Sequence, residues 1–228
     1  MSPPLYLTRA RLRRDPAIAA IAPLLLPADA SPRAGAVHQL VWSLFAGNPD
    51  AQRDFLWRED QQGTFFILSP RPPSESPVFE TETKEFAPVL AVGDLLRFSL
   101  RANATRSLKT PGAPRGKRAD VVMAALKSVP VSERAEARPG LILETGRAWL
   151  EAQGTRHGFS LAGHAPLRVE GYDQLKLPRA GGRAISVSVL EFEGVLSVTD
   201  PSGFLGALAQ GFGHAKAFGC GLMLIRRA

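Results

Sequence analysis

The sequence has little cysteine, since Cys220 is the one thiol among 228 residues. An internal disulfide is therefore excluded, and a reducing compartment is the simplest environment for the chain. It also lacks a continuous apolar run near the ~18–20 residues that a bilayer crossing requires. The first residues have neither the basic start nor the cleavage site typical of a signal peptide. We therefore expect a globular cytoplasmic protein without a membrane partner.

Acidic residues are missing from one long window, between Leu95 and Ala119. Seven positive charges lie in that window, at Arg97, Arg101, Arg106, Lys109, Arg115, Lys117 and Arg118. They match the whole formal net charge of +7. Such a cluster is typical of a nucleic-acid surface, although a solvated basic loop has the same composition.

Histidine is also scarce, with four residues in the chain. His157 and His164 flank a Gly-rich segment, and no cysteine or acid stands at metal-ligand spacing from them, so we expect no metal site and no cofactor. The segment Gly112–Lys117 resembles a phosphate-binding P-loop but is one residue too short between its glycines. Arg118 stands where Ser or Thr should bind Mg²⁺, which excludes nucleotide hydrolysis.

The first half of the chain predicts a strand, a helix and further strands. Leu5–Leu12 alternates apolar and polar side chains, as a strand does, and a Pro- and Ala-rich stretch after it is expected to be a loop. Ser31-Pro32 is typical of a helix start, and Gly47-Asn48-Pro49 of a helix stop. An apolar stripe lies between them at Val37, Leu40, Val41, Leu44 and Phe45. His38 stands beside that stripe, either as a packed bystander or as a functional group.

Strands and helices alternate through the rest of the chain. Strands are predicted at 53–58, 63–69, 95–100, 184–192, 194–199 and 222–225, with an extended segment at 158–170. Helices are predicted at 120–129, at 141–153 and after Asp200-Pro201, while 171–182 is expected to be rich in turns. The pattern indicates an α+β protein with antiparallel sheets, divided into two units. We place the N-terminal domain at residues 1–118 and the C-terminal domain at 119–228.

A Gly-rich segment with one lysine, Gly211–Met223, follows the last predicted helix. Glycine lets backbone N–H groups approach a ligand closely, and Lys216 would add a charge, so the segment fits a phosphate cradle. A tight connection between a helix and a strand has the same composition.

Four segments together resemble one known family. They are Val37–Phe45 with Asn48–Trp57, then Phe98–Asn103, then Phe192–Leu196, and finally the Gly-rich segment ending Gly219-Cys220-Gly221-Leu222. Their content and order are similar to the type I-E CRISPR RNA-processing endoribonucleases, the CasE subunit of the Cascade complex. The resemblance implies two tandem ferredoxin-like (RRM-like) domains with antiparallel sheets.

The resemblance also implies a reaction and its partners. Such a protein cleaves CRISPR precursor RNA at the repeat hairpin without a metal ion, by attack of a ribose 2′-OH that gives a 2′,3′-cyclic phosphate and a 5′-OH. It keeps the product and joins the other Cascade subunits. His38 matches the catalytic histidine of the family, and Lys216 is a second candidate that would steady the phosphate. The sequence leaves open whether His38 acts as base or acid.

Candidate RNA-binding residues come from three regions. The basic window supplies Arg101, Arg106, Lys109, Arg115, Lys117 and Arg118. The resemblance implies a hairpin between the strands near Arg168 and Ala184, which supplies Lys176, Arg179 and Arg183. The Gly-rich segment supplies Gly211, Gly213, His214 and Lys216.

One departure from the family keeps an alternative open. Some relatives have a tyrosine three residues before the histidine, and here that position is Gly35. The chain is then either an endoribonuclease that works without this group or a non-catalytic RNA-hairpin-binding protein. A basic DNA-binding protein is a third alternative.

Overall fold

A computed structural model describes residues 4–47, 52–108, 116–163, 165–179 and 182–228. The chain forms two compact units built from interleaved segments. The first unit contains Met1–Val89, Leu175–Val187 and Ala215–Leu222, and the second contains Leu90–Gln174, Ser188–His214 and Met223–Ala228. Late segments of the chain therefore complete a unit that begins at the N-terminus.

The first unit contains a four-stranded antiparallel sheet and two helices. Its elements are β1 (Tyr6–Leu12), α1 (Pro16–Leu25), α2 (Ala30–Trp42), β2 (Leu56–Gln61), β3 (Thr64–Ser69) and β4 (Phe79–Glu85). The strand order is β2-β3-β1-β4, with β1 paired to both β3 and β4. This is the strand order of a ferredoxin-like sheet in which a loop replaces the helix between β3 and β4.

The core of the first unit forms where α2 covers the sheet. The predicted apolar stripe is confirmed, because Val37, Leu40, Val41, Leu44 and Phe45 are all buried. The Phe45 ring stacks on Phe55 with 4.7 Å between ring centroids. Burial of this stripe supplies the hydrophobic free energy that holds the helix on the sheet.

Two predictions about the helices are wrong. The Pro- and Ala-rich stretch after β1 contains α1, which begins with Pro16 at its first position and is capped by the Asp15 carboxylate, which accepts from the Ile18 N–H at 3.1 Å. The second helix is capped at Asp29 rather than Ser31 and ends at Trp42, where a 3₁₀ turn, Ser43–Phe45, continues the chain. The helix α1 forms because alanine favours helix strongly and proline is tolerated in the first turn. The loop prediction gave the prolines of this stretch more weight than its alanines.

The second unit contains a ferredoxin-like sheet of its own. Its helices are α3 (Val121–Leu126), α4 (Arg134–His157) and α5 (Pro201–Gln210). Its strands are β5 (Leu95–Ala102), β6 (Thr105–Leu108), β7 (Lys117–Asp120), β8 (Phe159–Leu161), β9 (Arg168–Arg179), β10 (Gly182–Val198) and β11 (Met223–Arg227), of which β9 and β10 extend into the first unit. The main sheet has the order β11-β5-β10-β8, and β6 and β7 form a separate ribbon. The predicted α+β class with antiparallel sheets is confirmed.

The segment 171–182, expected to be rich in turns, is mostly strand. β9 runs to Arg179 and pairs with β10, which continues without a break from Gly182 to Val198. The glycines and proline in this stretch suggested turns, but pairing with a neighbouring strand overrides such local preferences.

The pairing of strand β5 assigns it to the sheet of the second unit, which its sequence pattern does not predict. It pairs with β10 and β11, so it belongs to the second sheet although it precedes residue 118. An alternating strand pattern does not reveal its partner. The division into residues 1–118 and 119–228 stays a prediction about which parts fold independently.

No helix in the described ranges is both long enough and apolar enough to span a bilayer.

Two glycines of α4 give a matched test of packing. A Cβ at buried Gly154 would lie 2.4 Å from the backbone oxygen of Phe159, whereas a Cβ at exposed Gly140 would meet nothing within 4 Å. We expect Gly154→Ala to lower the free energy of unfolding by about 2–3 kcal/mol, because a backbone atom cannot move aside cheaply. Gly140→Ala should be neutral or should stabilise by up to about 1 kcal/mol. Urea unfolding measures both, and equal values for the two variants would contradict the packing described.

Candidate active site

His38 lies on α2 at the edge of the buried stripe and is half-buried. The Trp42 ring meets it edge-on and the Phe218 ring is tilted against it, each with 6.4 Å between ring centroids. The Nδ1 atom is buried and has no hydrogen-bond partner among the described residues. Among the described residues, aromatic rings rather than a carboxylate therefore lie beside the imidazole.

The Gly-rich segment contributes a turn that packs against the helix of His38. Lys216–Phe218 form a 3₁₀ turn that packs against α2 and β2, all within the first unit. Ala215, just before the turn, has a left-handed backbone with φ of 56°, which is a strained conformation for a residue with a Cβ. Gly219, just after it, has φ of 75°, and a Cβ there would lie 3.1 Å from the Trp57 ring. The sequence thus brings Lys216 and His38 into one unit across a long chain separation.

The surroundings lower the pKa of His38 below the ordinary histidine value. Burial is the largest cause, because it disfavours the charged imidazolium, and the positive charge of Arg53 adds to it. A hydrogen bond with the backbone of Ala217 acts in the opposite direction and raises the pKa. With its pKa lowered, His38 is mainly neutral at pH 7 and can accept a proton.

Arg53 is the site residue that the sequence analysis missed. Its side chain is half-buried, and Nη1 donates to the Phe55 carbonyl oxygen at 2.5 Å. The Phe55 ring in turn meets Trp42 edge-on at 5.2 Å, which ties the arginine to the aromatic cluster beside His38. Burial lowers the pKa of Arg53 itself, yet an arginine remains charged at any cellular pH. Residues 53–58 are predicted only as a strand, and the resemblance that includes Asn48–Trp57 implies no role for Arg53.

Arg53 also acts on Lys216. The pKa of Lys216 is lowered by burial first and by the Arg53 charge second. Asp54, the acid next to Arg53 in the chain, is paired with Arg71 at 3.1 Å. Two cations and a neutral imidazole therefore lie within electrostatic reach of one another in the first unit. This combination suits a phosphodiester, whose negative charge the cations stabilise while the imidazole moves a proton.

Two further observations concern the chemistry of this site. Among the described residues, no group of three or more His, Cys, Asp or Glu side chains is arranged to hold a metal ion. Gly35, one turn before His38, is exposed, and a Cβ there would meet nothing within 4 Å.

Three of the predicted basic residues lie on the two-stranded ribbon of β6 and β7. Arg106 is opposite Ala119, Arg118 is opposite Ser107, and Lys117 is opposite Leu108. Since side chains alternate along a strand, Arg106 and Lys117 share one face of the ribbon and Arg118 lies on the other. All three are exposed. Arg101, by contrast, lies on β5 and pairs with Glu191 at 3.2 Å.

The other predicted residues of the Gly-rich segment fall in the second unit. Gly211 ends α5 with φ of 77°, and His214 forms an isolated bridge with Asn103. A Cβ at Gly213 would lie 2.9 Å from the Asn103 oxygen and 3.2 Å from the Trp149 ring. Close packing thus explains Gly213, and RNA contact by these residues stays a prediction.

For five predicted RNA-binding residues, the structure does not describe the side chain. Lys109 and Arg115 lie outside the described residues. Lys176 and Arg179 fall on β9 and Arg183 on β10, and their side chains are outside the described part of the chain.

Comparison with known proteins places the chain in a family. The model of a family described as CRISPR associated protein matches residues 5–227. The chain belongs to this CRISPR-associated family. It is 29% identical over 197 residues to the CRISPR system Cascade subunit CasE of Escherichia coli (strain K12), covering 82% of this chain and 88% of that protein. The predicted membership in the type I-E CasE family is confirmed.

Two further similarities involve Thermus thermophilus. The chain is 30% identical over 146 residues to the CRISPR-associated endoribonuclease Cse3 of this bacterium, which is 62% of this chain and 60% of that protein. The structure of Thermus thermophilus Cse3 bound to an RNA representing a pre-cleavage complex matches with a TM-score of 0.67 at 24% identity, covering 98% and 99% of the two chains. The predicted pair of ferredoxin-like domains is confirmed as the fold.

Removing the Arg53 charge tests the electrostatics of this CRISPR-associated chain. We expect Arg53→Gln to raise the pKa of His38, because one cause of its lowering is lost. Burial is the larger cause and persists, so only part of the lowering should disappear. NMR titration of the His38 ring measures the shift. Arg97→Gln, an exposed change of the same charge on β5, is the control, and an unchanged His38 pKa in Arg53→Gln would contradict the coupling.

Proposed function

We propose that the chain is an endoribonuclease that cleaves CRISPR precursor RNA at the repeat hairpin. The carrying observation is His38, a half-buried imidazole of lowered pKa in one unit with Arg53 and Lys216. The names of the relatives support the assignment: one is a Cascade subunit, one is a CRISPR-associated endoribonuclease, and one is a Cse3 bound to a pre-cleavage RNA. We also propose that the chain works in the cytoplasm and needs no metal ion.

In the proposed mechanism, neutral His38 takes the proton from the ribose 2′-OH. The 2′ oxygen then attacks the adjacent phosphorus, the bond from phosphorus to the 5′ oxygen breaks, and the leaving 5′ oxygen takes a proton from water. The imidazolium returns its proton to solvent, which restores neutral His38. The products are a 2′,3′-cyclic phosphate and a 5′-OH. The lowered pKa favours the base role, because a neutral imidazole can accept a proton and an imidazolium cannot. Lys216 and Arg53 stabilise the charge that develops on the phosphate.

RNA binding is proposed to rest mainly on phosphate contacts. An A-form stem presents closely spaced phosphates, and exposed arginines and lysines on a narrow ribbon match that surface. Arg106, Lys117 and Arg118 meet this description, whereas Arg101 must first leave Glu191. Retention of the product hairpin and assembly with other Cascade subunits are part of the same proposal.

A non-catalytic RNA-hairpin-binding protein is the second candidate. The observation that favours it is Gly35, which stands where some relatives have a tyrosine. A Cβ at Gly35 would meet nothing within 4 Å, so no side chain from this position assists His38. The two candidates differ in what happens to a bound hairpin, because only the enzyme converts it to a cyclic phosphate.

Substitution of His38 separates the candidates. We expect His38→Ala to slow cleavage of the repeat RNA by about 10²–10⁴-fold, as loss of a general base does, while hairpin affinity changes little. Single-turnover assays in EDTA, with analysis of the product ends, make the measurement. The control is Ser43→Ala, an exposed change near the end of α2. Wild-type protein that holds the hairpin intact in EDTA would support the non-catalytic candidate, and cleavage by His38→Ala at the wild-type rate would remove His38 from the mechanism.

The ribbon has its own test. We expect the triple variant Arg106→Gln, Lys117→Gln and Arg118→Gln to bind the hairpin more weakly and with a flatter salt dependence. Each lost phosphate contact should reduce the slope of log K against log salt by roughly 0.7–0.9. Lys127→Gln, Arg138→Gln and Arg156→Gln, three exposed residues of the same unit, form the matched control. Equal slopes for the two triple variants would exclude the ribbon as the contact surface.

A further inference from the structure

A cavity of about 520 Å³ lies in the first unit where β1 ends. Its walls are residues 11–14 at the end of β1, one side of α1, and the turn between β2 and β3 at residues 62–64. The volume falls within the ~300–1,000 Å³ typical of pockets that bind small organic groups. The proposed catalysis uses none of its lining residues, so it is available for another task. We call it the α1 cavity.

The α1 cavity is strongly basic. Arg11, Arg13 and Arg14 line it, and no Asp or Glu does. Arg11 forms an ion pair with Glu82 at 3.1 Å, and Arg9 pairs with the same carboxylate. Neither Arg13 nor Arg14 has an ion pair among the described residues. The Nε atom of Arg13 is buried without a hydrogen-bond partner in the same part of the chain. This buried donor is unfavourable, and the other guanidinium N–H groups of Arg13 and Arg14 can donate charge-assisted hydrogen bonds to an anion in the cavity.

The opposite wall of the cavity is apolar. It consists of the α1 residues Ala19, Ala22 and Pro23 with Leu26 beyond the helix end. These short side chains leave room for a flat ring, while Gln62 and Thr64 at the turn offer an amide and a hydroxyl. A phosphate on arginines, a base on an apolar wall and a few polar groups for the base edge together match one nucleotide.

Hydrogen bonds fix the walls before any ligand arrives. The Leu12 N–H donates to the Gly63 oxygen at 2.8 Å, and the Gly63 N–H donates to the Glu59 carboxylate at 3.1 Å. Arg33 pairs with the same carboxylate and donates to the Pro27 oxygen at 3.2 Å, which holds the connection between α1 and α2. A preformed cavity spends little free energy on ordering itself around a ligand.

We propose that the α1 cavity is a second RNA subsite that binds one unpaired nucleotide of the strand flanking the hairpin. The identity of this RNA as CRISPR precursor rests on the proposed function. An acidic protein segment fits less well, because a carboxylate would satisfy the arginines but leave the wall at Ala22 and Pro23 uncovered. The subsite would let the protein distinguish a hairpin within a longer transcript from an isolated hairpin.

Two RNAs test the proposal: the minimal repeat hairpin and the same hairpin with unpaired extensions at both ends. We expect the wild-type protein to bind the extended RNA about tenfold more tightly, as one stacked and phosphate-bound nucleotide allows. The double variant Arg13→Gln with Arg14→Gln should lose this preference by removing the charges. Ala22→Phe should lose it by filling the cavity without a change of charge. Arg138→Gln, exposed on α4, should keep it.

Cleavage of the minimal hairpin, measured in the same samples, reports on the proposed function separately and should be unchanged in all these variants.

If the wild-type protein does not bind the hairpin, a single-stranded uridine hexanucleotide containing one 4-thiouridine still tests the cavity. Its photocrosslinks should map to residues 11–28 or 62–64 and disappear in Ala22→Phe. Equal wild-type affinity for both hairpin RNAs, or crosslinks confined to other segments, would overturn the subsite. Displacement of the extension by micromolar UMP would instead identify a free nucleotide as the ligand and would also overturn it.

Discussion

The packing of Gly219 against the Trp57 ring sets the position of the turn Lys216–Phe218 beside His38. A side chain at residue 219 would need both a left-handed backbone and space that the indole occupies, so glycine satisfies two constraints at once. The turn Lys216–Phe218 precedes this contact directly, and it supplies the ring beside His38 and the backbone group of Ala217 that hydrogen-bonds it. Ala215 accepts a strained φ on the other side of the turn. The strain is local, and the burial of Phe55, Trp57 and their neighbours in the first core offsets it.

The same packing half-buries like-charged groups of the first unit near His38. Half-burying Arg53 and Lys216 near His38 removes water from like-charged groups, which is unfavourable, and Asp54 is engaged with Arg71. Two charges at about 4 Å interact by about 4 kcal/mol at an effective dielectric constant near 20, so small displacements matter. Under the proposed function, the phosphodiester of the RNA brings a negative charge to these cations. Under the same proposal, binding of the phosphodiester offsets the repulsion by Arg53, which lowers the pKa of His38 less than burial does, so affinity and proton transfer both depend in part on this arginine.

The sequence predicted those parts of the molecule that depend on local pattern. The stripe on α2 follows helical spacing, and Asp200-Pro201 marks the start of α5. The missed parts depend on partners remote in the chain. The local sequence pattern does not reveal that β5 pairs with β10 and β11. It also does not reveal that Arg53 precedes the strand and binds the backbone of Phe55 beside Trp42. The α1 cavity was missed for a related reason, because its Pro- and Ala-rich wall suggested a loop.

The interleaving of the two units has a consequence for how activity arises during folding. The first unit includes Ala215–Leu222, so the surroundings of His38 remain incomplete until nearly the whole chain has been made. Closing a loop of this length costs conformational entropy that only the packing of Trp57, Gly219 and Phe218 can offset. Before closure, His38 has neither the burial nor the Ala217 contact that sets its pKa, and Lys216 is absent from the site. The α1 cavity, by contrast, is built from residues 11–64 alone. All residues that line the proposed RNA subsite therefore precede, in the chain, the Lys216 that is proposed to act in cleavage.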